Sequence, residues 1–329
     1  MGAREEVFMN TKHRRLGVFA AGLAAATLVL AACGGSDSGG SSSSASGDSA
    51  KCDIGMVQIN QTAAFFTQMN EGAQEAASAN GCTLTIANAN NDAAKQSSDI
   101  ENFITQGVTG LIVVAIDVEG VLPAVAKARE AGIVTVAIDA TLEDGAVDTF
   151  VGVDNAKAGA QIGEWAASNG LSEGATYGVV GAKNSFIQNQ REDSFRSVVD
   201  AAGAVFTQSV SGDNVQEKAA QAAENLVTAQ PDLNFIYTTG EPATVGAAAA
   251  LAGNTKTKII GWDLTKEVIA ALDSGLAIAI VQQDPKQEGV EAVNEIKAIL
   301  GGAAPKGFID VPIAIVTKAD VEPYRAIFP

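Results

Sequence analysis

The chain is almost without histidine. Its 329 residues hold one, His13, in an N-terminal segment that reads as a removable leader. A body without imidazole cannot run Ser-His-Asp hydrolysis, a Cys-His nucleophile or a His-ligated zinc site. Cysteine is nearly as scarce. Cys33, Cys52 and Cys82 are the full set, and no two have CxxC spacing, so neither structural zinc nor a thioredoxin-type dithiol is supported. Basic charge is deficient as well: 21 Lys and Arg face 38 Asp and Glu, a net charge of −17. Arg4, Glu5, Glu6, Lys12, Arg14 and Arg15 precede Cys33, so from that cysteine onward the balance is 17 against 36, or −19. Such a surface repels phosphate backbones and excludes nucleic acid as a partner. No nucleophile–base pair stands out, so the chain is not read as an enzyme, and no cofactor or metal is expected. The run GVVGAK at 178–183 lacks the Gly-Lys-Ser/Thr ending of a phosphate loop and reads as a tight strand–helix turn.

Apolar residues make up 47% of the chain and charged ones 18%. That is enough to bury a core, and wholesale disorder is excluded. The length suits about two domains.

Lys12, His13, Arg14 and Arg15 precede an apolar run at 16–30. The run is too short for a membrane span of about 20 residues, and it ends in small residues. Leu30-Ala31-Ala32-Cys33 resembles a bacterial lipobox. The resemblance implies a signal peptide over 1–32, cleavage before Cys33 and lipidation of the Cys33 thiol. Residues 33–50 are then a Gly/Ser tether with a reach of roughly 20–25 Å. The folded body begins near Lys51. Its expected location is extracytoplasmic, lipid-anchored to the cell membrane, where disulfides persist.

Within the body, β-rich runs alternate with Ala-rich helical runs. Strands are expected at 53–59, 83–87, 110–116, 134–138, 150–153, 176–180, 205–209, 235–238, 258–262, 278–282 and 311–316. Runs as uniformly apolar as 111–116 belong in a parallel sheet covered on both faces. The fold class is α/β with doubly wound, parallel-rich sheets. Eleven strands are many for one open sheet, so two lobes are expected, with a short hinge-like break at Val153-Asp154-Asn155. Cys52 and Cys82 each sit just before a strand. If those strands are parallel neighbours, both thiols lie at one end and a disulfide joins them; otherwise two free thiols mark strand starts.

Open α/β sheets bind ligands at the carboxyl ends of their strands. The residues that follow the expected strands are Asn60, Phe65 and Phe66, then Asp117 and Asp139, and in the second half Arg191, Glu241, Asp263 and Gln283. Carboxylates, a guanidinium, amides and aromatics suit a small polyhydroxy ligand. Each hydroxyl can donate to a carboxylate or accept from a guanidinium, and an aromatic face packs on the C–H face of a sugar. The acidic excess argues against phosphate or carboxylate ligands.

The segments IGMVQINQTAAFFTQMNEGAQEAA, VAIDAT, VGVDNAKAGAQIGEW, QREDSF, IIGWDLT and IVQQDPKQEG, in this order and spacing, resemble the ribose-binding-like group of type I periplasmic binding proteins. The resemblance runs from about Lys51 to Thr317. It implies two Rossmann-like lobes joined by a three-crossover hinge, with lobe one over 51–154 plus 284–311 and lobe two over 155–283 plus 312–329. It implies sugar stacking by Phe65 and Phe66, and hydroxyl binding by Asp139, Arg191, Asp263 and Gln283. It also implies capture of a sugar or polyol by hinge closure, with delivery to an ABC permease and its ATPase. The receptor is expected to be a monomer whose only membrane contact is its lipid. A sensor that passes its closed form to a histidine kinase or chemoreceptor is the alternative. A sugar-responsive repressor needs a basic helix-turn-helix where this chain has a leader and tether. Three positions depart from the ribose pattern: Ala140 stands for an arginine, Gly240 for an asparagine, and Asn214 for the second lobe's capping aromatic.

Each residue also has a structural reading. Asp139 could cap a loop, Arg191 could pair with Glu192 or Asp193, Asp263 could cap the helix from Lys266, and Gln283 could order a crossover. Asp117 reads as structural, and Trp262 as packing beneath the site.

Overall fold

Twelve strands and nine α-helices follow one another along residues 51–61 and 64–328, the residues described by this computed structural model. The expected leader, Cys33 and the whole tether to residue 50 lie outside the described residues. Strands β1 (Asp53–Gln58), β2 (Thr83–Asn88), β3 (Gly110–Val113), β4 (Val134–Ile138), β5 (Thr149–Gly152) and β11 (Gly307–Asp310) form one sheet, in the order β11-β5-β4-β3-β1-β2. Strands β6 (Thr176–Gly181), β7 (Val205–Ser211), β8 (Phe235–Thr238), β9 (Lys258–Trp262), β10 (Ala277–Gln282) and β12 (Ala314–Val316) form the other, in the order β12-β10-β9-β8-β6-β7. The two orders are the same pattern repeated. Every pairing is parallel except that of β12 with β10.

Helices cover both faces of each sheet. In lobe one, α1 (Ala64–Ala79) and α9 (Pro285–Leu300) lie on one side, and α2 (Ala93–Gln106) and α3 (Leu122–Glu130) on the other. In lobe two, α4 (Asn155–Ser168) and α5 (Phe186–Ala201) oppose α6 (Gln216–Ala229), α7 (Glu241–Ala250) and α8 (Lys266–Ser274). This two-sided cover explains why all four residues of β3 are buried and apolar. On α1 the core positions are Met69, Ala73, Ala76 and Ala77, one stripe of a 3.6-residue period.

The chain passes between lobes three times: after β5, after β10 and after β11. Asp310 straps the first and third passages together. Its carboxylate accepts from the Asp154 backbone N–H at 3.1 Å and pairs with Lys157.

The strand expected at 311–316 begins only at Ala314, as β12 in lobe two, and the unexpected strand before it, β11, belongs to lobe one. Residues 311–313 are the crossover between them, and Pro312 has no N–H to give a ladder. The strand expected at 110–116 stops at Val113. Beyond it the buried side-chain amide of Gln96 takes over the pairing: its Nε2 donates to the Val114 carbonyl at 2.8 Å, and its Oε1 accepts from Ile116 N–H at 3.0 Å. Asp117 is structural. Its Oδ1 accepts from the backbone N–H of Glu119 and Gly120.

Cys52 and Cys82 are joined by a disulfide. Asp53 pairs with Thr83 in the β1–β2 register, so the preceding cysteines face each other, with Cα atoms 4.7 Å apart. The bond ties edge strand β2 to β1 at the amino ends of the strands.

Candidate functional site

The carboxyl ends of the two sheets share one cavity of about 580 Å³. It falls inside the range typical of small-molecule sites. Of the eight residues expected to bind ligand, seven line it: Phe65, Phe66, Asp139, Arg191, Glu241, Asp263 and Gln283. Asn60 does not. It lies on the loop after β1, and its Nδ2 donates to Asn91 Oδ1 at 3.3 Å.

Arg191 is the centre of the second-lobe wall. It sits on α5, 3% exposed, with its guanidinium carbon 3.6 Å from the centre of the Trp262 ring. Trp262 is fully buried and donates Nε1–H to Tyr237 Oη at 2.8 Å, so the guanidinium rests on a fixed aromatic platform. Its Nε donates to Asn155 Oδ1 at 2.7 Å, Nη1 to the Thr239 carbonyl at 3.1 Å and Nη2 to Gln283 Oε1 at 3.5 Å. Helix α4 also holds it from behind. A Cβ at Gly159 would lie 2.6 Å from the Arg191 carbonyl oxygen, so only glycine permits α4 to pack this closely on α5. Glu192, the neighbour that could have claimed the guanidinium, is paired with Lys183 at 2.6 Å.

Asp139 and Asp263 occupy equivalent places in the repeated fold, one residue past β4 and one past β9. Each adopts a left-handed backbone, φ 65° and 61°, and donates its N–H to the next strand, Asp139 to Val151 and Asp263 to Val281. This conformation costs an L-residue roughly 1–2 kcal/mol. Held in place by those bonds, it marks the pair as candidates for function. Neither caps a helix: the cap of α8 is Thr265, whose side chain accepts from Val268 N–H. Asp263 accepts from Gln283 Nε2 at 2.8 Å. Gln283 therefore joins Asp263 to Arg191 at the second crossover. Asp139 accepts no side-chain hydrogen bond among the described residues.

Burial raises the pKa of both aspartates, and Arg191 draws them back down. Asp139 is pushed up to about 6, with the Asp263 charge adding to the rise. Burial lowers the Arg191 pKa, and Asp263 and Asp139 oppose that shift. Glu241, at the start of α7, is raised by burial and by Asp263.

Phe65 and Phe66 stand edge to face, ring centres 5.4 Å apart, on the first-lobe wall. Sequence reasoning missed several other lining residues. Gln188 lies three positions before Arg191 on the same face of α5, a spacing that could have been read. It donates to Asn214 Oδ1 at 2.8 Å and accepts from Thr239 Oγ1 at 2.7 Å. Gln68, Lys266, Pro285, Ile327 and Phe328 also line the cavity. No group of three or more His, Cys, Asp or Glu residues is arranged to hold a metal among the described residues.

Glu288, in the first turn of α9, is the anomaly beside this site. It is fully buried, and neither carboxyl oxygen has a hydrogen-bond partner among the described residues. Burial raises its pKa well above the usual range, helped by the charges of Asp139, Asp284 and Asp263. Below its unfolded-state pKa the group is protonated in both states, and the only cost is the burial of an unpaired neutral carboxyl, with no ionisation penalty. As pH rises, the unfolded chain ionises first and stability is lost. Glu288→Met keeps the volume and removes the polar atoms, so it is expected to stabilise the free protein by about 2 kcal/mol. The gain should be larger at pH 8 than at pH 4 in chemical denaturation. A destabilised variant at pH 8 would show that the carboxyl is paired after all.

Two doubly wound lobes with ligand-type side chains at their facing strand tips define a two-lobed binding protein. The sequence comparison makes this specific: the periplasmic binding protein domain matches residues 54–304, and the chain belongs to that family. The ribose import binding protein of Bacillus subtilis (strain 168) is 29% identical over 267 residues, covering 80% of this chain and 87% of that one. The xylitol-binding protein of Mycolicibacterium smegmatis is 26% identical over 270 residues, covering 81% of this chain and 77% of that one. Among solved structures, a periplasmic ribose ABC transporter protein from Conexibacter woesei superposes with a TM-score of 0.79 at 23% identity, over 84% of this chain and 96% of that one. An arabinose-binding protein from Geobacillus stearothermophilus superposes with a TM-score of 0.77 at 20% identity, over 83% and 99%.

Proposed function

We propose that this protein is the extracytoplasmic solute receptor of an ABC importer, binding a small neutral sugar or polyol between its lobes. The observation that carries the reading is the convergence of two aromatic rings, two aspartates, a locked guanidinium and a bridging amide on one cavity. Relatives named for ribose and xylitol support it. Ala140, Asn214 and Gly240 stand where ribose binders carry other residues, so a different pentose, hexose or open-chain polyol suits the site as well as ribose. Ligand bonds to both lobes favour the closed arrangement by their differential affinity, and the three crossovers are where closure bends the chain. The closed face is then offered to a permease driven by an ATPase. Lipidation at Cys33, with the leader at 1–32 and a tether to residue 50, keeps the receptor near that permease. Lobe one spans 51–154 plus 284–311, and lobe two 155–283 plus 312–329. The receptor itself makes and breaks no covalent bond in this cycle; the bond broken is that of the ATP hydrolysed by the partner ATPase.

The test is a thermal-shift panel of D-ribose, D-arabinose, D-allose, xylitol, inositols, nucleosides and amino acids. A ligand at 100 times its Kd stabilises the fold by about 2.7 kcal/mol, which raises Tm by several degrees at this size. Shifts confined to nucleosides or amino acids overturn the ligand class.

The reading also sets a pH dependence. Ligand hydroxyls donate to the ionised Asp139 carboxylate, and protonation removes that acceptor. With the free carboxyl titrating at about 6, affinity is expected to hold at pH 7–8 and to fall about tenfold by pH 5. Calorimetry on wild type and Asp139→Asn checks this. An affinity independent of pH in wild type rules Asp139 out as the acceptor.

A further inference from the structure

The two walls of the cavity are unequal in aromatic character. Lobe one contributes Phe65 and Phe66; from lobe two the only aromatic lining residue among the described residues is Phe328. Trp262 is sealed beneath Arg191 and does not line the cavity. Phe328 belongs to the segment after β12, which returns across lobe two to the site. That segment is pinned along its length. Val321 is fully buried in the lobe-two core, and Tyr324 and Phe328 pack against the same cluster. Arg325 grips the Asp273 carboxylate of α8 with both terminal nitrogens, at 3.0 and 2.8 Å, and Glu322 with its Nε at 2.8 Å. Lys318 Nζ donates to the Asp273 carbonyl at 2.6 Å. The backbone N–H groups of Ile327 and Phe328 both donate to the Tyr324 carbonyl at 3.0 Å. Beyond this anchoring Ile327 is 40% exposed and lines the cavity beside Phe328.

We propose that Ile327 and Phe328 form a fixed lip on the cavity, and that Phe328 is the second-lobe residue that packs on the carbon face of the ligand. The inference rests on the sugar- or polyol-binding reading above. Phe328 lies with Leu264, Pro242 and Pro285 among the cavity's apolar lining, which suits a C–H face. The hydroxyls of the same ligand are met by Asp139, Arg191 and Asp263. The aromatic absent at Asn214 is thus supplied by a distant segment, through a ring set by the Arg325–Asp273 pair and the lobe-two core.

The test uses the full chain with D-ribose, D-arabinose, D-allose and xylitol as probes, read by calorimetry and by stopped-flow fluorescence of the tryptophans. For the probe that wild type binds most tightly, Phe328→Ala is expected to raise Kd about tenfold, chiefly through faster dissociation. Phe328→Leu, which keeps an apolar side chain on the core, is expected to hold the free protein's Tm but not to restore affinity. Arg325→Ala lines nothing and only unpins the segment; it is expected to speed dissociation severalfold. If wild type binds a probe and both Phe328→Ala and Arg325→Ala stay within twofold of it, the lip is overturned while the receptor reading stands. If none of the four binds, the inositols of the wider panel take their place as probes, and if wild type answers only to nucleosides or amino acids, the receptor's ligand class and the lip fall together.

Discussion

Arg191→Ala is expected to abolish measurable binding, weakening affinity at least 100-fold. All three guanidinium nitrogens are committed within the site, to Asn155, Thr239 and Gln283, and the group is the countercharge that lowers both Asp139 and Asp263. Removing one partner from a buried charged cluster typically costs about 3–5 kcal/mol, because the remaining charges are left uncompensated. A factor of 100 in Kd needs only about 2.7 kcal/mol. Part of the loss appears in the free protein. A residue 3% exposed that stacks on a buried tryptophan is also a packing element, so a lower Tm without ligand is expected alongside the binding defect. Arg191→Lys separates the two roles. It keeps the charge and so recovers much of the stability, but an ammonium cannot bond three acceptors in one plane, and affinity stays low. Calorimetry well below either variant's Tm reads binding without interference from unfolding. Affinity within fivefold of wild type in Arg191→Ala would place the ligand elsewhere.

The second large effect concerns stability alone. Cys52 and Cys82 close a loop of 30 residues, and loop-closure entropy at that length corresponds to about 3.6 kcal/mol at 25 °C. Replacing both by serine is expected to lower the guanidinium midpoint accordingly and Tm by on the order of 10 °C. The bond sits at the amino ends of β1 and β2, whereas the cavity lies at the carboxyl ends. Ligand affinity measured at 20 °C is therefore expected to stay within twofold. A midpoint unmoved by the double substitution would mean that the sheet register alone holds these strands. A large loss of affinity would mean that lobe one transmits strain along β1.

Seven cavity residues were legible because a doubly wound sheet has a fixed polarity. Once strands are recognised, the residues after their carboxyl ends are known and Asp139 and Asp263 follow from counting, whereas Arg191, inside α5, was singled out chiefly by the family resemblance. Choosing between structural and ligand roles for them needed the fold. Whether Asp263 caps α8 depends on one backbone bond, and Thr265 makes it instead. Whether Arg191 pairs with Glu192 depends on where Lys183 falls. Asn60, expected to bind ligand, does not line the cavity for a related reason: its side chain bonds to Asn91, on the loop after the neighbouring strand β2.

The strand misread at 311–316 shows the limit of local pattern. Its apolar residues are consistent with one strand, yet they serve two lobes with Pro312 between them. Ile327, Phe328 and Glu288 carried no usable signal at all. An apolar pair near the end of a chain looks the same whether it reaches a ligand cavity or a surface groove. A glutamate in the first turn of a helix looks solvated, since that is where acidic residues usually sit.

The sequence by itself determined the alternation of strands and helices, the strand ends where chemistry gathers, and the place of two cysteines just before strands. These follow from short-range periodicity and from the polarity of parallel sheets. That those two strands are neighbours was decided by the fold. The tertiary structure alone decided that Gln283 bridges Arg191 to Asp263, that both aspartates adopt a left-handed backbone, that Glu288 is buried without a partner, and that Phe328 returns to the cavity. Each of these depends on contacts between residues far apart in the chain, which exist only after sheet order and crossovers have brought the two lobes face to face.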